Sequence, residues 1–186
     1  FKDDMGAYDN TDLSFGVMLH GITYPDEVYK KEEKERRLLL FVYPDMTTYY
    51  KVKREIWDDA AFRKAAQPYF DKTAPNPAYF NFESFLCEAF DKVPSLLKPD
   101  KNRTLFELRT YHSPNEEANQ RKVAMFNKDE IDVFDKVGIN SVCYGEVLAG
   151  PIMPAVMYLT WYKDEPTRAE AWNKFGKHPD WQRIKD

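Results

Sequence analysis

The chain has little of what many specialised folds require. Of its 186 residues, two are cysteine, three histidine and seven glycine. Cys87 and Cys143 lie far apart with no CxxC pair, which argues against a disulfide scaffold or a thiolate zinc site. Both are expected to be buried thiols acting as small hydrophobes. His20, His112 and His178 show no metal-ligand spacing and no HExxH, so each is expected in a cap, a turn or at the surface. No metal site follows. With so few glycines there is no phosphate-cradling loop, and neither a GxSxG elbow nor a Cys paired locally with His is found. The longest apolar run, LLLFVY at 38–43, falls far short of a membrane span, so no transmembrane segment is expected. Net charge is −4, with Lys and Arg scattered among Asp and Glu; this is not a nucleic-acid binder's footprint.

Aromatic residues are plentiful instead. They make up 16% of the chain, as twelve Tyr, thirteen Phe and four Trp. That is more than one small core needs, so some rings are expected to line a cavity or an interface. The length fits one domain or a tightly fused pair of small ones. The chain begins at Phe1 rather than Met, which is compatible with an exported, periplasmic protein whose leader has been removed. The compartment stays open.

Periodicity predicts the following order. Residues 13–24 form one strand or two short ones, and 25–37 is a solvated charge run. A buried strand at 38–43 ends at Pro44-Asp45, after which Thr47 or Thr48 caps a helix reaching Phe70. Residues 81–90 alternate like a half-buried strand. Two prolines make 92–102 the linker. A strand at 104–112 then leads to a helix at 115–137, with Ser113 and Glu116 as a capping box and Pro114 at the first helical position. Gly138 stops that helix. Strands at 139–148 and 155–162 follow, joined by the turn GPIMP, and a final helix closes the chain.

The halves look related. Tyr43, Asp45 and Phe62 recur as Tyr162, Asp164 and Trp181 at one constant offset. Strand, helix, strand, strand, helix, plus a fourth strand like 81–90, is the ferredoxin-like unit. The expected class is therefore α+β, as tandem ferredoxin-like repeats in a dimeric α/β-barrel-like arrangement with antiparallel sheets and helices outside. Residues 1–98 would form an N-terminally incomplete first repeat, and 99–186 the second, its last strand missing.

On strand 104–112, Phe106, Leu108 and Thr110 share one face, and Glu107, Arg109 and Tyr111 the other. The apolar set is expected under the helices and the polar set in a lumen between two sheets. Tyr144, Tyr158 and Tyr162 would join the polar set there, with Met157, Leu159 and Trp161 behind. Three roles stay open for it. Glu107 and Arg109 would be a buried ion pair that fixes register. Alternatively, Arg109 would clamp a ligand's carboxylate, with the tyrosines as walls and Glu107 orienting the guanidinium. Glu107 would otherwise act as a general base, which needs a raised pKa.

The segments LFELRTYHSPN, GINSVCYGEVLAGPIMPAVMYLTWYKD and RAEAWNKFGKHPDW resemble the NIPSNAP family. The features carrying the likeness are Phe106 to Tyr111, Gly138, Gly150-Pro151 and Pro179-Asp180-Trp181. NPAYFNFESFLCEAF is similar to the end of a first repeat in tandem bacterial members. The resemblance implies a dimeric α/β barrel and a homo-oligomer. It implies no reaction, since family members are mostly described as of unknown or non-enzymatic function. The function expected is binding of a protein partner, or of a small aromatic or carboxylate-bearing molecule, by the barrel lumen or surface, with no cofactor. The alternative is an enzyme of the wider barrel superfamily. It would be a cofactor-independent monooxygenase with Glu107 or a nearby histidine as base, or a haem-binding enzyme.

Overall fold

A computed structural model describes residues 15–23, 36–79 and 81–185. Its strands are β1 (Phe15–Thr23), β2 (Arg36–Tyr43), β3 (Asn81–Ala89), β4 (Leu105–His112), β5 (Asn140–Ala149) and β6 (Ala155–Tyr162). All pair antiparallel, in the order β2-β1-β3-β5-β6-β4. The described strands thus form one continuous sheet, in which β3 from the first half hydrogen-bonds β5 from the second. The sheet is curled, and the class is α+β, as the alternation implied. β4 and β2 are its edges.

The helices are α1 (Met46–Glu55), α2 (Ala60–Phe70), α3 (Glu116–Met125), α4 (Ile131–Val137), α5 (Glu165–Lys177) and α6 (Pro179–Ile184). A short 3-10 turn, Ile56–Asp58, splits the single helix expected before Phe70. Aspartate decides where helices begin. Asp45, not Thr47 or Thr48, caps α1 by accepting from the Thr48 N–H at 2.6 Å, and Asp59 caps α2 through the Phe62 N–H. Asp164 caps α5 through the Thr167 N–H. Each offers the first turn an acceptor, about 1 kcal/mol per cap. At α3 the cap is Asn115, two residues beyond the expected Ser113. Ser113 is instead buried, its hydroxyl bonded to Asn119 Oδ1 at 3.1 Å. The asparagine wins because its side chain meets the Ala118 N–H directly. Gly138 ends α4 at φ +85°, a conformation that residues with a Cβ rarely adopt.

Two clusters flank the sheet. Under the helices, Phe126 and Phe134 from the α3–α4 segment and Phe175 from α5 pack on Tyr144, Tyr158 and Tyr162. On the other face lie Phe85, Cys87, Cys143, Met157 and Leu159, with Leu40 and Trp161 against them. Both thiols are free and buried as expected, and desolvation pushes each up to about 12, which leaves them inert. The expected linker is no linker. It is a strap pinned to the second half: Lys92 N–H donates to Asn127 Oδ1 at 2.9 Å, and Leu97 N–H to the Val142 carbonyl at 2.9 Å.

Gly145 of β5 lies hard against β3. A Cβ there would meet the Cys87 Cβ at 2.7 Å and the Glu88 carbonyl oxygen at 3.2 Å. Neither atom can swing away. Gly145→Ala should therefore lower stability by about 1–3 kcal/mol, read as a lower urea midpoint, with the far-UV spectrum of the survivors unchanged.

Candidate functional site

The register of β4 on β6 sorts the expected site residues. Glu107 lies opposite Thr160, Arg109 opposite Tyr158 and Tyr111 opposite Val156. β5 then sets Tyr144 beside Tyr158. The six residues singled out, Glu107, Arg109, Tyr111, Tyr144, Tyr158 and Tyr162, do share one face. That face is the opposite of the one expected. It lies under the helices, whereas Phe106 is 47% and Leu108 39% exposed on the far side.

The reason is visible in the contacts. Tyr158 donates to the Tyr111 hydroxyl at 2.8 Å, and Arg109 Nε donates to the same oxygen at 3.0 Å. Arg109 Nη1 reaches Glu107 Oε1 at 3.0 Å, which also accepts from Arg168 Nη2 of α5 at 2.5 Å. Glu107 Oε2 accepts from Trp172 Nε1 at 2.9 Å. The Arg109 guanidinium lies 4.2 Å from the centre of the Trp172 ring. A strand face bearing charges reads as wet because unpaired buried charge is costly. Here the named charged groups have partners, so the helices close over them.

That arrangement bears on chemistry. Burial alone would raise the Glu107 pKa, but hydrogen bonds from Arg168 and Trp172 and the nearby guanidinium charges outweigh it and hold it below its usual range. Both of its oxygens are engaged. A base poised near neutrality needs the reverse. Tyr144 and Tyr158 stack with centroids 5.4 Å apart, and Phe126 and Phe134 fill the space beside them. Tyr162 is wholly buried, and desolvation pushes its phenol up to about 12. The rings are walls, but of a packed core.

One acidic residue escaped the reading of the sequence. Glu130 is 2% exposed, and its Oε2 has no hydrogen-bond partner. It ends a π-helical turn, Phe126–Glu130, between α3 and α4. Desolvation pushes its pKa up to about 8, against the opposing charges of Lys122 and Arg109. The stripe Phe126, Glu130, Phe134 at every fourth residue was the signal, hidden by treating carboxylates as surface groups.

The histidines that are described do local work. His112 Nε2 lies 3.1 Å from the Met153 carbonyl, and His178 Nδ1 accepts from the Asp180 N–H at 3.2 Å to cap α6. The side chain of His20 lies outside the described residues. Among the described residues no cluster of three or more His, Cys, Asp or Glu is placed to hold a metal, and no helix is long and apolar enough to cross a membrane.

Two tests follow. The carboxyl of Glu130 binds its proton more tightly folded than unfolded, so its contribution is fully favourable below about pH 4.5 and is lost as pH rises towards 8. Glu130→Gln should therefore gain on wild type by about 3 kcal/mol at pH 7, and the gain should vanish near pH 4.5 in paired urea titrations. Arg109→Met should lower stability by about 1–3 kcal/mol, since it takes one donor each from the Tyr111 hydroxyl and the Glu107 carboxylate and bares the Trp172 ring. A fully stable variant would mean that the network holds nothing together.

A comparison with curated proteins finds no match for the chain. Residues 106–186, from β4 to the end, match the family model described as NIPSNAP, so this stretch is a NIPSNAP domain.

Proposed function

We propose that this NIPSNAP-domain protein works as a binding protein through the helix-free face of its sheet, closed against the same face of a second copy. The observation that carries the reading is the exposure of Phe106 and Leu108 on the edge strand β4, beside Trp161. Apolar groups side by side on an edge strand are a pairing surface unless something covers them. The cover fits a dimeric barrel, with the two halves of each chain as related ferredoxin-like units. In support, Tyr43 ends β2 just before the Asp45 cap, and Tyr162 ends β6 just before the Asp164 cap.

The space so enclosed would be lined by Cys143, Met157, Leu159 and Trp161, with Leu108 and Phe106 at its rim. Its occupant would be apolar, either the partner's own rings or a small apolar molecule, and not the carboxylate that Arg109 was expected to clamp. Arg109 and Glu107 are structural in this reading.

Light scattering behind a sizing column tests it, with native mass spectrometry alongside. The expected result is a dimer at micromolar concentration that Leu108→Asp weakens at least about tenfold, with helix content unchanged. A monomeric wild type, or a dimer indifferent to Leu108→Asp, would sink the proposal. A small mass present only under native conditions would name the occupant's class.

A further inference from the structure

The strap between β3 and β4 does not lie flat on the domain. It is pinned on either side of a gap: Lys92 to Asn127 of the π-helical turn, and Leu97 to Val142 at the β5 bulge. Beneath it remains a pocket of about 220 Å³. Val93, Leu97 and Ile131 give it apolar walls, and Asp135, Lys92 and Ser141 give it polar atoms. An apolar cavity of about 150 Å³ already takes a benzene ring.

The polar atoms are not equivalent. The Lys92 ammonium is engaged with Asp132 at 2.8 Å. Ser141 is buried, and its hydroxyl shares one hydrogen bond of 2.6 Å with Tyr144, which leaves acceptor capacity on the serine oxygen. Asp135 has no ion pair or hydrogen bond among the described residues. With Lys92 paired to Asp132, the charges of Lys92, Asp132 and Asp135 at the pocket sum to −1. A divalent metal is a poor fit, because one free carboxylate and one hydroxyl are too few hard ligands.

We infer that this pocket binds a small amine with an apolar body, its ammonium on Asp135 and its body against Val93, Leu97 and Ile131. Burial raises the Asp135 pKa and the charge of Asp132 adds to that rise, against the opposing charge of Lys92. A bound cation relieves both. The π-helical turn serves the same site, for it presents Asn127 to the strap and sets Ile131 and Asp135 one turn apart on the pocket wall.

Benzylamine is the probe, with benzyl alcohol and benzoate as neutral and anionic matches, titrated into the full chain by amide-resolved NMR. Saturable shifts at Val93, Leu97 and Ile131 with benzylamine are expected, and weaker binding of both other compounds. Asp135→Asn, at an exposed position, should keep the spectrum of the fold and weaken benzylamine about tenfold or more. Leu97→Trp, which fills the mouth, should abolish the shifts. The inference is overturned by no saturable shift up to about 10 mM, by equal binding of benzyl alcohol, or by an Asp135→Asn variant that binds as wild type does.

Discussion

Three phenols buried on one sheet face set the terms for the second half of this protein. Tyr144, Tyr158 and Tyr162 are each at most 1% exposed, and a buried hydroxyl without a partner costs about 1–3 kcal/mol. Two settle locally, Tyr144 with Ser141 and Tyr162 with Thr160. Tyr158 cannot, and it reaches across to Tyr111 on β4. Tyr111 also takes the Arg109 guanidinium, Arg109 needs Glu107, and Glu107 fastens α5 through Arg168 and Trp172. A single hydroxyl thus begins a chain of contacts that attaches a helix to an edge strand.

The same chain explains which face of the sheet is left bare. Once the helices are committed to the tyrosines, Phe106 and Leu108 point the other way. Glu107 and Arg109 are thereby tied into the contacts under the helices, and Phe106 and Leu108, expected beneath those helices, stand exposed. The buried polar network also explains why Glu130 is the exception: it lies in the same core but receives no donor at Oε2.

Much of the fold was legible. The alternation of 155–162 gave the strand at its observed limits, and Gly138 stopped the helix where a left-handed residue was needed. The family likeness was legible too, in Phe106 to Tyr111 and Pro179-Asp180-Trp181, which fall within the matched residues. What failed were choices between near equals. Asp45 and Thr48 are both competent caps, and only geometry selects between them. Period two assigns residues to faces but not faces to layers, so Glu107 and Leu108 exchanged sides. The strap at 92–97 read as a linker because its pins, Asn127 and the Val142 carbonyl, are remote in sequence. Pockets made by such remote pins leave no local pattern.

The π-helical turn at Phe126–Glu130 carries a consequence for how this sequence tolerates change in length. Such a turn holds one residue more than an α-helix needs over the same span. Losing any one of those residues would let the helix run through as ordinary α, with no break in its hydrogen bonding. Everything downstream would then rotate by about 100° relative to α3. Phe134 would leave the tyrosines, and Asp132 and Asp135 would turn away from the strap. A one-residue deletion, mild in a surface loop, would here act as a rotation of the whole α4 face.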